Sequence, residues 1–236
     1  MGAMGASGRR GALRFLRDIL IIALVAVAVS FLVKTFFLRS FFIPSQSMSH
    51  TLEVDDRILV NVLVPETVAL ERGDVVVFRD PGGWLPPPPR VEKAPAEAVI
   101  DVFLGLIGVI PTDSGEHLVK RVIGLPGDHV VCCDASGRLS VNGMPVDEPY
   151  VVHEPDDPRA SGTDFDVTVP DDALWVMGDN RYHSLDSRYQ DDTPSKGYVP
   201  VEDVVGRAFV VSWPTSHWAW LDNYPESFED VPADER

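Results

Sequence analysis

Between Ile19 and Val33 the only polar side chain is Ser30, and Phe36, Phe37 and Leu38 carry the apolar character past Lys34 and Thr35. As a helix, residues 19–38 measure roughly 30 Å at ~1.5 Å per residue, which matches the hydrocarbon core of a bilayer. Lys34 sits near one end, where its aliphatic stem can reach the interface. A cleavable leader shares the basic-then-apolar pattern, but its cut needs small residues in a polar stretch, and Lys34-Thr35-Phe36-Phe37-Leu38-Arg39 follows instead. Residues 15–40 are therefore read as one retained transmembrane anchor. Arg9, Arg10, Arg14 and Arg17 precede the run, so the positive-inside rule puts the N-terminus in the cytoplasm and everything after about residue 40 on the outer face. Residues 1–14 are small, flexible and basic, and are expected to be disordered.

Charge divides the chain in the same place. The formal net charge is -16, yet residues 1–40 hold six basic side chains against Asp18 alone, so residues 41–236 carry about -21. A body that acidic excludes a nucleic-acid partner, which requires clustered Lys and Arg. It is also repelled by anionic lipid, so any membrane contact it makes must be apolar. The two cysteines, Cys132 and Cys133, are adjacent. They are either one buried and one outward thiol on a strand or a vicinal disulfide. No Cys/His spacing resembles a metal site, and no cofactor is implied.

Beyond the anchor the chain reads as short β-branched runs between turn formers. Candidate strands are 57–64, 74–78, one within 117–128 that runs into the Pro126-Gly127-Asp128 turn, 130–133, 139–141, 165–169, 173–177 and 204–213. Trp84 to Pro89 must be an extended loop, because proline cannot donate to a sheet ladder. Residues 95–110, closed by Pro111, favour a short helix that either packs on the sheet or dips into the outer leaflet. Trp213, Trp218, Trp220 and Tyr224 give the tail a second possible lipid contact. The expectation is a mainly β, antiparallel domain over 41–236, with a short hairpin insertion at about 130–165.

Phe41-Phe42-Ile43-Pro44-Ser45-Gln46-Ser47-Met48-Ser49-His50-Thr51-Leu52 places three serines and a threonine directly after the anchor. A serine hydroxyl is a weak nucleophile until a base takes its proton. His50, His117, His129, His153, His183 and His217 are scattered, and none is set in a motif that suggests a partner. Lys120 is different: strand alternation sends it and Arg121 to opposite faces. If Lys120 faces inward, burial lowers its pKa toward that of a base active near neutrality. A surface strand capped by Lys and Arg is the plainer alternative.

Four segments together resemble the type I signal peptidases of bacteria, membrane-anchored serine proteases with a Ser/Lys dyad. They are Ile43-Pro44-Ser45-Gln46-Ser47-Met48 with Thr51-Leu52, then Arg72 to Phe78, Val119 to Asp128, and Gly178-Asp179-Asn180-Arg181 with Ser184, Asp186, Ser187 and Arg188. They occur in family order and span about 41–211. Two departures are that Ser49-His50 stands where the family often has x-Pro, and Tyr182-His183 where many members have Asp-Asn.

The resemblance implies Ser47 as nucleophile, Lys120 as general base, and the Ser45 hydroxyl with the Ser47 N–H as oxyanion-hole donors. It implies Ser184 as the residue that orients the lysine amine, and Asp179, Arg181, Asp186 and Arg188 as structural support. Residues 40–45 and 117–120, among them Ile43, Pro44 and Val119, are the implied edges for an extended substrate. The implied activity is removal of signal peptides from translocated preproteins, with cutting after small residues, at the outer face of the plasma membrane and near the export translocon. A self-cleaving or regulator-cleaving Ser/Lys protease and an inactive, membrane-tethered peptide-binding domain are the alternatives.

Overall fold

A computed structural model describes residues 5–86, 117–153 and 157–232. The helix expected at 95–110 and the proline run beyond residue 86 lie outside them. The chain forms two compact units, 1–38 and 39–236.

The first unit is one helix, α1, spanning Gly5–Phe36. It starts well before the apolar run, so residues 5–14, expected to be disordered, are helical, and residues 1–4 lie outside the described ones. Ala, Leu and Arg are strong helix formers, and extending an existing helix needs no new nucleus. Side chains 14–31 are exposed around the whole circumference, Ile19, Leu20, Ile22, Leu24 and Val27 among them. Among the described residues no helix is long and apolar enough to cross a membrane. The part of α1 with described side chains includes Arg14, Arg17 and Asp18, and the last two pair at 2.8 Å.

The second unit is built on two antiparallel sheets. The larger takes β1 (Leu38–Phe42), β2 (Arg57–Asn61), β3 (Val75–Arg79), β4 (His117–Gly124), β9 (Ala173–Met177), β10 (Val199–Pro200), β11 (Val204–Trp213) and β12 (Ala219–Trp220). Its order is β1-β2-β11-β3-β4-β9-β10, with β12 paired to β11. Period-two patterning explains the assembly: Ile58 and Val60, Val75 and Val77, and Ala208 point into one core with Phe41, Ile43, Met48 and Leu52. Val76, Phe78, Val122, Leu174 and Val176 point into another core on the opposite side, closed by Trp84. The edge of a strand can be free even in mid-sheet. Here β9 joins β4 only from Arg121 onward, so, among the described residues, 118–120 have a strand partner, β3, on one side alone.

The second sheet, ordered β7-β6-β5-β8, contains β5 (His129–Cys132), β6 (Leu139–Val141), β7 (Met144–Val146) and β8 (Phe165–Thr168). It is larger than the hairpin expected at 130–165. The Asn142-Gly143 turn returns the chain at positive φ, 52° and 80°, as a two-residue hairpin loop requires. Pro145 then sits in β7, which is possible because β7 is an edge strand and needs no inner N–H there. Cys132 and Cys133 form a vicinal disulfide at the end of β5, the second of the two arrangements left open by their adjacency.

Candidate active site

Immediately after β1, Ile43 continues the pairing through its N–H to Asp56 O and its carbonyl from Asp55 N, both 2.9 Å. Pro44, Ser45 and Gln46 then run exposed. At Ser47 the chain enters a single turn, closed by Leu52 N–H to Met48 O at 2.7 Å. Met48 and Leu52, four apart and both buried, pin that turn to the core. Ser47 is thus held by apolar residues on its C-terminal side while its own side chain points to β4.

There Lys120 Nζ lies 2.7 Å from Ser47 Oγ and 3.1 Å from the Val119 carbonyl. Ser47 is 7% exposed and Lys120 4%, so the pair is almost out of water. The alternative of a solvent-facing Lys-Arg strand is excluded, for Arg121 is buried as well. Its guanidinium reaches Asp179 at 2.9 and 2.7 Å, the Gly73 carbonyl at 2.6 Å and the Asp222 carbonyl at 3.0 Å, and lies 4.0 Å from the Tyr150 ring centre. Both faces of β4 are covered, so alternation separates Lys120 from Arg121 without exposing either.

Asp179 also accepts from Thr51 Oγ1 at 2.5 Å, which ties the turn after Ser47 to β4. Asn180 N–H donates to the Ser47 carbonyl at 3.2 Å. Asp186 and Arg188 form a buried pair at 2.8 Å, and Arg188 further donates to the Arg181 carbonyl at 2.8 Å. Arg181 pairs with Glu148 at 2.5 Å. Burial alone would push the Asp186 carboxyl up, but Arg188 and the Gly178 N–H hold it below its ordinary 3.8. Thr51, Arg121, Glu148 and Tyr150 have no role implied by the sequence. Arg121 carried a signal, an arginine beside Lys120 in one strand, whereas Glu148 and Tyr150 lie in no motif.

Ser45 Oγ stands 3.3 Å from Ser47 Oγ. Ile43 is buried, Pro44 exposed and Val119 half-buried, and Val119 packs on the cluster that holds Ile43. Ser184 is the residue that the resemblance implies as orienting the lysine. It is buried, close enough to Asp186 to favour the carboxylate, but its Oγ makes no hydrogen bond among the described residues. Among the described residues the Lys120 amine bonds to Ser47 Oγ and the Val119 carbonyl. His50 adopts φ 84° and places Nδ1 3.5 Å from the Tyr150 carbonyl.

The model of the family described as "Signal peptidase, peptidase S26" matches residues 16–213. The chain belongs to the signal peptidase family. It is 39% identical over 220 residues to "Signal peptidase I" of Mycobacterium tuberculosis, with 86% of this chain and 74% of that protein covered. It is 31% identical over 206 residues to "Signal peptidase I U" of Bacillus subtilis, with 85% and 90% covered. A crystal structure of a signal peptidase I from Enterococcus faecalis aligns at TM-score 0.38 and 24% identity, over 58% of this chain and 95% of that one. Membership of the signal peptidase family makes the chain a serine endopeptidase.

Within the signal peptidase domain the electrostatics of Lys120 follow from its position. Burial lowers its pKa from an ordinary 10.5 to about 8, only partly offset by the carboxylates of Asp186 and Asp179 and reinforced by the Arg188 charge. At neutral pH a useful fraction of the amine is therefore uncharged, next to a hydroxyl at hydrogen-bond distance. That arrangement can deprotonate a serine. Among the described residues no His/Cys/Asp/Glu cluster has the form of a metal site.

Proposed function

We propose that the chain is a membrane-anchored signal peptidase in which Ser47 is the nucleophile and Lys120 its general base. The observation that carries this reading is the buried 2.7 Å contact between Lys120 Nζ and Ser47 Oγ. Neutral Lys120 takes the Ser47 proton as Oγ attacks the scissile carbonyl. The charge developing on the carbonyl oxygen accepts hydrogen bonds from the Ser45 hydroxyl and the Ser47 N–H. The lysine returns its proton to the leaving amine, and then activates the water that hydrolyses the acyl-enzyme.

The substrate is the signal peptide of a translocated preprotein, cut after small residues. Two free edges support this: the outer edge of β1 with Ile43-Pro44, and residues 118–120 of β4. Phe41 and His117, one from each strand, touch at a ring separation of 5.3 Å, so an extended chain laid on either edge passes beside the dyad. The anchor is residues 15–40, single-pass, with the N-terminus inside and the catalytic domain at the outer face near the translocon. Its support is the apolar run itself and the exposure of the apolar side chains of α1 between residues 14 and 31.

Incubating the full chain in lipid vesicles with a purified preprotein tests the reading. Wild type is expected to release the signal peptide, Ser47→Ala to release none, and Ser45→Ala to be slowed on the order of 10²-fold, as for loss of one oxyanion donor. Unchanged cleavage by Ser47→Ala would sink the assignment.

The pH profile adds an independent check. Because the base is the free amine, kcat/KM is expected to rise with pH through about 8 and then level. A limb centred near the ordinary 10.5 would remove the argument from burial. Stability has the same sign. Between about 8 and 10.5 the unfolded chain binds the lysine proton and the folded one does not, so the cost of burying the ammonium is relieved as pH rises through this window.

A further inference from the structure

The open side of β4 ends at Lys120. From Arg121 onward the ladder is occupied by β9, Arg121 facing Met177, so a substrate strand along residues 118–120 cannot continue in line past Lys120. After Met177 the chain turns off at Gly178 and passes beside Ser47, with Asn180 N–H on the Ser47 carbonyl. The residues that precede the cut use the free edges. Those that follow it must therefore leave the sheet over the loop 178–189.

That loop and Gln46, the neighbour of Ser47, enclose a hollow of about 440 Å³ lined by Gln46, Tyr182, His183, Ser184, Leu185 and Tyr189. Ligand pockets fall at about 300–1,000 Å³. Leu185 is 69% exposed and Tyr189 44%, so the hollow presents two large apolar faces to solvent. Its wall is braced: Asp186 caps the short 3₁₀ turn Ser187–Tyr189, and the Arg188 guanidinium, paired with Asp186, lies 5.1 Å from the Tyr189 ring centre. A wall set in advance loses little entropy on binding. Ser184 lines the polar end of the hollow, its Oγ itself buried. A Cβ placed on Gly178 would overlap both Ser184 Oγ and the Ser47 carbonyl oxygen, so this polar end of the hollow adjoins the nucleophile's own backbone.

We propose that this hollow is a subsite for the released side of the cut, which takes the first two residues of the mature protein and favours an apolar or aromatic side chain there. The proposal rests on Ser47 and Lys120 being the dyad. It makes Leu185 and Tyr189 determinants of specificity rather than of chemistry.

The experiment uses the full chain and a peptide series with identical residues up to the cut, followed by Ala-Ala, Leu-Ala, Phe-Ala, Ala-Phe or Asp-Asp. Wild type is expected to prefer the best Leu or Phe peptide over Ala-Ala in kcat/KM on the order of 10-fold, the range a filled apolar pocket supplies. In Leu185→Ser with Tyr189→Ser that ratio is expected to fall to about one, and in Leu185→Phe to persist. A flat series in wild type, or a ratio that survives the double substitution while all rates change together, overturns the subsite. Cleavage of Ala-Ala that disappears in Ser47→Ala would leave the dyad standing in that case, whereas a wild type that cuts no peptide overturns both.

Discussion

Lys120→Met is expected to lower cleavage on the order of 10⁶-fold, the loss seen when one member of a serine-protease catalytic unit is removed alone. Methionine keeps the length and apolar stem of the side chain, so the fold should survive. Stability is expected to hold or rise, because an ammonium buried at 4% exposure is replaced by a group with no desolvation cost. The measurement is single-turnover cleavage of a preprotein, with thermal unfolding of the same sample. A variant that is folded and still cuts at a tenth of the wild-type rate places the base elsewhere, with His50 the first residue to question.

Gly178→Ala is expected to damage the site as well, although glycine 178 carries no functional group. A Cβ at that position collides with the Ser47 carbonyl oxygen and with Ser184 Oγ and Cβ. One of the colliding atoms is backbone, so relief requires the nucleophile's own peptide to move. Displacement by about 1 Å costs on the order of 10²-fold in rate, and overpacking a filled site costs about 1–3 kcal/mol of stability. The expected result is a folded protein of lowered Tm whose kcat falls by 10²-fold or more while the binding of a substrate-derived peptide falls far less. Wild-type kcat in this variant would mean that the contact between Gly178 and Ser47 does not govern geometry.

Where local chemistry decides the backbone, sequence and structure agree. Residues 139–141, 173–177 and 204–213 read as strands between turn formers and become β6, β9 and β11 with the same limits. The strand expected over 57–64 stops at Asn61, because the Asn61 side chain accepts the Leu63 N–H at 3.0 Å and bends the chain locally. Two-residue pairings such as β10 and β12 have too few residues to show any period. Pro145 hid β7, since only its place at a sheet edge, a tertiary fact, makes proline tolerable there.

The site divides in the same way. Ser47 and Lys120 stand in short motifs that family resemblance makes legible. The Arg121–Asp179 pair joins residues 58 apart, and nothing local couples them.

The half-free backbone of residues 118–120 has one more consequence. An unpaired ladder is a surface on which proteins stack into aggregates, so long-lived chains normally hide it. Here it stays open beside the dyad, and the charge of about -21 on residues 41–236 makes two such domains repel one another. An acidity that first seemed only to forbid nucleic acid thus also works as a guard: it discourages each copy from becoming its neighbour's occupant and leaves the edge vacant for transient guests.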